Sequence, residues 1–145
     1  MPMSETIELL EMNTDGGSRG NPGPAAIGVI AKANAHTIFT LSERIGETTN
    51  NVAEYTAVLR ALEKIDEEGI FTDKIRFILD SELIVKQITG LYKVKQPHLQ
   101  ELRKTIISLI KKLRDKGQIK LMSFVNVLRD KNKEADQLVN DALDN

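Results

Sequence analysis

The sequence predicts an α/β fold in which three strands precede a helix, a fourth strand, two helices, a fifth strand and a last helix. Three observations carry this. The first third alternates short apolar runs with turn residues, the apolar period changes to helical spacing at Tyr55, and a compact apolar run, Ile75 to Leu79, lies between two helical stretches. A chain of 145 residues is the size of one domain with a substantial core, so residues 1–145 are read as one domain.

Ile7 to Met12 and Ala25 to Ala31 read as the first two strands. Between them Asp15 to Pro24, Asp-Gly-Gly-Ser-Arg-Gly-Asn-Pro-Gly-Pro, reads as an elaborate hairpin connection with a carboxylate at its root, because its glycines free φ and its prolines fix it. Thr37 to Ile45 alternates as a third strand, with Asn34-Ala35 in the turn before it. Tyr55, Val58, Leu62 and Ile65 then recur at helical spacing until Glu67-Glu68-Gly69 ends the pattern.

Ile75 to Leu79, bounded by Asp73 and Asp80, has the composition of a strand buried on both faces. Ser81 to Thr89 reads as a short helix closed by Gly90, and after the basic connector Leu91 to Gln96, Pro97 suits the first residue of a longer helix. That helix carries an apolar stripe through Leu99, Leu102, Ile106 and Leu113, and a basic face of Arg103, Lys104, Lys111, Lys112 and Arg114, up to Gly117. Ile119 to Val127 reads as the fifth strand and Asn132 to Leu143 as the last helix, with Ala135, Leu138, Val139 and Ala142 inward. No repeat, low-complexity tract or linker divides the chain.

The absence of cysteine removes disulfides, zinc-thiolate sites and cysteine nucleophiles, so any chemistry comes from oxygen and nitrogen groups. No apolar run approaches a membrane span, and Met1 to Ser4 shows no basic-then-apolar leader. The expectation is a cytoplasmic, monomeric protein with no membrane partner. The formal net charge of −1 conceals a division: residues 1–85 carry −7, residues 86–133 carry +10 and residues 134–145 carry −4. Such asymmetry suits a basic surface for a polyanion beside an acidic region for cations, although a solvated basic helix accounts equally well for the middle segment.

Four acids stand at junctions of the elements. Asp15 could be no more than a turn residue, and Glu54, three residues after Asn51, could complete something close to a capping box. Glu54, however, shares its face with Val58, Ala61 and Ile65 and points toward the sheet. Asp80 ends a buried strand and could cap the next helix, a role Ser81 could fill instead, yet strand ends are where α/β sheets place their chemistry. Asp136 suits the dipole of the last helix. Gathered together, such carboxylates would repel one another unless a hard divalent cation, magnesium or manganese, lay among them. Two such ions about 4 Å apart can activate water and stabilise the leaving oxygen in phosphodiester hydrolysis.

These residues resemble the type 1 ribonuclease H family, from about Ile7 to Leu143. Asp15 to Pro24 matches its Asp-Gly-x-x-x-Gly-Asn-Pro-Gly-Pro pattern, Thr48 to Glu54 approximates Thr-x-Asn-Asn-x-x-Glu, and Asp80-Ser81 and Glu134-Ala135-Asp136-Gln137-Leu138 complete the set. The resemblance implies a ribonuclease H-like fold with a five-stranded mixed sheet flanked by helices. It also implies two magnesium or manganese ions on Asp15, Glu54, Asp80 and Asp136, and cleavage of the RNA strand of an RNA–DNA hybrid to 5′-phosphate and 3′-hydroxyl products. Double-stranded RNA is a further candidate partner. By the same resemblance Gly16, Asn21, Asn50, Asn51 and Ser81 contact substrate; a carboxamide suits a ribose 2′-hydroxyl, which both donates and accepts. One of the paired asparagines is also expected to cap the first helix.

Three departures stand out. Many relatives place a histidine shortly before the last acid, whereas this chain has Leu128-Arg129-Asp130-Lys131. Arg129 is the substitute; it can neutralise a phosphate or help release product but cannot act as a base. His36, in a turn, and His98, at a helix start, are read as surface residues. Glu82 stands where relatives often carry a substrate-contacting glutamine, and the short Leu91 to Gln96 connector lacks the basic handle of larger members. Lys93, Lys95 and the basic helix face are the candidates to compensate, and the expectation is weaker, salt-sensitive hybrid binding. The competing reading is a catalytically weak or inert module that binds hybrid or double-stranded RNA.

Overall fold

The computed structural model describes residues 5–145; Met1 to Ser4, where no leader is expected, lie outside the described residues. Five strands, β1 (Ile7–Ser18), β2 (Gly23–Ala33), β3 (His36–Thr48), β4 (Thr72–Leu79) and β5 (Ile119–Asn126), follow the expected order with α1 (Asn50–Glu68), α2 (Glu82–Ile88), α3 (Pro97–Asp115) and α4 (Lys133–Asp144). The strands form one mixed sheet in the order β3-β2-β1-β4-β5. β1 to β3 run antiparallel as consecutive hairpins, and β4 lies parallel to both β1 and β5. No helix among the described residues is long and apolar enough to cross a membrane.

The core lies between the sheet and the α1–α3 layer. Leu10, Met12, Ile27, Ile75 and Phe77 from the strands meet Tyr55, Val58, Leu62 and Ile65 of α1 and Ile106 and Leu113 of α3, all inaccessible to solvent. α4 packs on the other side of the sheet, against β1, β2 and β3. Two neighbouring positions reveal the division: a side chain at Gly16 would strike α1, whereas one at Gly28, the cross-strand partner of Asp15, would strike α4. Successive residues of a strand face opposite ways, so the two helices sandwich β1 and β2.

Three expectations need correction. β4 is not buried on both faces: Thr72, Ile75, Phe77 and Leu79 are buried, but Arg76 and Ile78 between them are half-covered, because α4 packs over the β1–β3 side of the sheet. The basic face of α3 keeps Lys104, Lys111, Lys112 and Arg114 exposed, but Arg103 leaves it. Arg103 turns back to donate from Nε to the Gln87 carbonyl (2.9 Å) and from Nη2 to the Ile88 carbonyl (3.1 Å), closing the end of α2. Lys111 pairs with Asp115 at 2.7 Å and Lys112 with Asp66 at 3.0 Å. His98 opens α3 and is exposed as expected; His36 is exposed too but begins β3 rather than lying in the turn, which is made by Asn34 and Ala35 at positive φ.

Candidate active site

Asp15 does not stand at the root of a turn. β1 continues through it to Ser18, with Asp15 opposite Gly28, Gly17 opposite Ala26 and Ser18 opposite Ala25. The connection shrinks to Arg19–Pro22, closed by the Arg19 N–H donating to the Pro24 carbonyl (2.8 Å). Gly16 and Gly17 thus serve as strand residues, and Gly16 is required by packing: a Cβ there would lie 2.3 Å from the carbonyl carbon of Ala53 and 2.5 Å from the Glu54 nitrogen. The missing side chain lets the first turns of α1 rest on β1, which brings Glu54 beside Asp15.

The caps differ from expectation as well. Thr49 caps α1, its hydroxyl accepting from the Val52 N–H (3.2 Å), so neither asparagine caps and Glu54 lies too far along the helix for a capping box. Asn50 is used in two other ways: its side-chain oxygen accepts from the Ser18 N–H (2.9 Å), and its own N–H donates to the Asn21 side-chain oxygen (3.0 Å). Asn21, Asn50 and the β1–β2 turn therefore form one connected rim. At the end of β4 it is Ser81 that caps α2, accepting from the Ile84 N–H (3.3 Å), which leaves the Asp80 carboxylate free of that duty.

Carboxylate oxygens of Asp15, Glu54 and Asp80 all come within 4.8 Å of one another. They lie in a cleft of about 500 Å³ lined also by Gly16, Ser18, Arg19, Asn50, Ser81, Arg129, Asp136 and Val139. Burial, then the charges of Asp80, Glu54 and Asp136, raise the pKa of Asp15 far above the usual carboxylate range, against the Gly16 N–H that holds it down. Glu54 is pushed up to about 7 by burial and by Asp80, with Ser81 and Arg129 opposing. Asp80 is raised mainly by burial, and Arg129 is the group that lowers it most. The set holds more negative charge than it can stabilise alone.

Asp136 lines the cleft from the first turn of α4 but stands outside the close cluster of three; it is exposed, and its Oδ2 accepts from Asn140 at 3.5 Å. α4 is set in place by two features that sequence reasoning missed. Gly28 admits it, since a Cβ there would meet the Ala135 carbonyl at 2.2 Å. Asn132, almost wholly buried, donates to the Thr14 carbonyl (2.9 Å) and accepts from the Asn13 amide (3.0 Å), tying the start of α4 to the residues just before Asp15. A buried asparagine ahead of a helix reads in sequence as an ordinary cap, so its inward bonds leave no signal.

Arg129 begins a 3₁₀ turn (Arg129–Lys131) and supplies the cleft with a positive charge that reaches Glu54 and Asp80. Of the expected substrate contacts, Gly16, Asn50 and Ser81 line the cleft; Asn21 joins through its bond to Asn50, and Asn51 is half-buried in the first turn of α1, outside the lining. Glu82 is engaged elsewhere, its carboxylate 2.5 Å from the Lys86 ammonium.

The family described as reverse transcriptase-like matches residues 13–142. A ribonuclease H1 isolated from compost by a metagenomic approach is 44% identical over 95% of this chain and 97% of its own, with a TM-score of 0.83. The same protein in complex with an RNA/DNA hybrid superposes with a TM-score of 0.85. The ribonuclease HI of Halobacterium salinarum is 39% identical over 131 residues, and a bifunctional protein of Mycobacterium tuberculosis is 38% identical over 135. The chain spans 62% and 35% of the lengths of these two relatives. Profile, identity, coverage and superposition agree with the carboxylate cluster, and the chain belongs to the type 1 ribonuclease H family.

Proposed function

We propose that this chain is an endonuclease that hydrolyses the RNA strand of RNA–DNA hybrids, leaving 5′-phosphate and 3′-hydroxyl ends. The observation that carries the reading is the approach of the Asp15, Glu54 and Asp80 oxygens to within 4.8 Å of one another. Hard oxygen donors with no sulfur or imidazole among them fit magnesium or manganese, and the raised proton affinity of Asp15 and Glu54 is what a cation in the cluster would relieve. Two ions, held by these three acids and Asp136, would supply an activated water and stabilisation of the leaving oxygen.

The chain's own groups do the rest. Asn21 and Asn50, cross-linked at the rim, offer carboxamides to ribose 2′-hydroxyls, with Asn51, Ser81 and the Gly16 backbone as further contacts. Arg129 neutralises phosphate at the cleft and cannot accept a proton from water. The relative bound to an RNA/DNA hybrid supports this substrate.

The test is cleavage of an end-labelled hybrid in magnesium or manganese, with single-stranded RNA, double-stranded RNA and DNA duplex beside it. The reading predicts scission of the RNA strand of the hybrid with the stated end groups. Tight binding of the hybrid without scission in either metal would make the chain a binding module, the role that Arg129 in place of histidine favours.

A further inference from the structure

Arg19 is, with Arg129, one of two cations among the residues lining the cleft. It sits in the β1–β2 turn beside Gly20 and Asn21, and the backbone leading into it is held by two bonds: its N–H donates to the Pro24 carbonyl at 2.8 Å, and the Ser18 N–H donates to the Asn50 side chain at 2.9 Å. Its side chain, 49% exposed, reaches across to α4, where Nη2 lies 2.6 Å from Oδ1 of Asp144, itself 62% exposed. Asp144 is not a loose anion. Arg44 clamps the end of α4, donating from Nε to the Ala142 carbonyl (2.8 Å) and from Nη2 to the carbonyls of Leu143 (2.9 Å) and Asn145.

An arginine anchored at the mouth of a cleft and paired in solvent with one carboxylate has no structural need for that partner, since exposed pairs contribute at most about 1 kcal/mol. Its planar fork suits a phosphate at least as well as a carboxylate. A phosphate arriving at the cleft would meet Arg19 only by displacing Asp144, whose charge would then remain close by and oppose the incoming anion. The pair therefore weakens binding in two ways, by occupying the cation and by repelling its competitor.

We propose that Arg19 contacts a backbone phosphate of the bound strand, and that Asp144 is an internal counter-ion that phosphate must displace. This rests on the reading of the site as one for nucleic acid. It assigns to two residues outside the four acids and the asparagine rim a share in setting affinity and its salt dependence.

The experiment is equilibrium binding of a labelled RNA–DNA hybrid to the full chain in chelator, where no strand is cut, from 50 to 200 mM salt. Arg19→Ala should weaken binding and flatten the log–log salt slope by about 0.9, so that it loses about 3.5-fold less affinity than the parent over that range. Arg19→Lys should recover most of the slope. Asp144→Asn should tighten binding several-fold, and most of that gain should be lost when Arg19→Ala is added. An unchanged slope in Arg19→Ala, or an Asp144→Asn variant that binds no tighter, overturns the proposal while the parent still binds hybrid. A parent that binds no hybrid at any salt overturns the functional reading itself, and this one with it.

Discussion

Asp80 couples the acids of the cleft, because its charge raises the proton affinity of both Asp15 and Glu54. Glu54 has a folded-state pKa of about 7 against an ordinary 4.5, so the folded protein holds that proton more tightly than the unfolded chain does. Its contribution is full below the ordinary value and is lost as pH rises through about 7. Thermal melts of the metal-free protein should therefore show stability falling across this window, with Asp15 extending the loss to higher pH. Magnesium or manganese should restore most where the loss is greatest. Asp80→Asn removes one of the repelling charges, and at pH 8 without metal it should melt higher than the parent, by on the order of 1 kcal/mol. A lower melt would mean that Asp80 supports the fold. Asp15, Glu54, Asp80 and Asp136 were legible as candidates because the sequence sets each acid near an expected element junction, although Asp15 lies within β1 and Glu54 within α1. Arg19 and Asn132 were not, since a turn arginine and an asparagine before a helix look the same whether they face solvent or a partner far along the chain.

Two glycines set how closely the helices approach the sheet, and each positions one side of the cleft. Gly16→Ala would drive a methyl into the backbone of Ala53 and Glu54, so α1 must move away from β1. The expected cost is about 1–3 kcal/mol in a denaturant titration. Hybrid cleavage should fall further than stability does, up to about 100-fold for a displacement near 1 Å. Gly28→Ala would do the same to α4 through the Ala135 carbonyl, displacing Asp136 rather than Glu54. Asn132→Ala leaves the Thr14 carbonyl without its donor inside the protein and should cost about 1–3 kcal/mol in the same titration. Element order and helix limits followed from periodicity. The strand ends did not, because Gly16, Gly17 and Ser18 have the composition of a turn, and only their pairing with β2 and the pressure of α1 show them to be strand. Helix caps were misassigned for a related reason: Thr49, Asn50 and Asn51 are all competent caps, and the choice among them is made by the turn that Asn50 has to hold.

The charge division along the chain persists in the fold but is smaller than the sequence suggests. α3 provides many of the middle segment's cations, yet Arg103 is spent on the end of α2, and Lys111 and Lys112 are paired with acids. On the proposed function, association with hybrids is expected to be weak and centred on the cleft and its rim rather than on α3, with few phosphate contacts and so a shallow salt slope. The most direct measurement is the rate of RNA-strand cleavage in a labelled hybrid, in magnesium and in manganese, by the parent and by Asp80→Asn. The parent should cut in both, and Asp80→Asn should fall to the rate of metal alone while melting no lower than the parent. Full activity in a folded Asp80→Asn variant would contradict the assignment of the Asp15, Glu54 and Asp80 cluster as the catalytic centre.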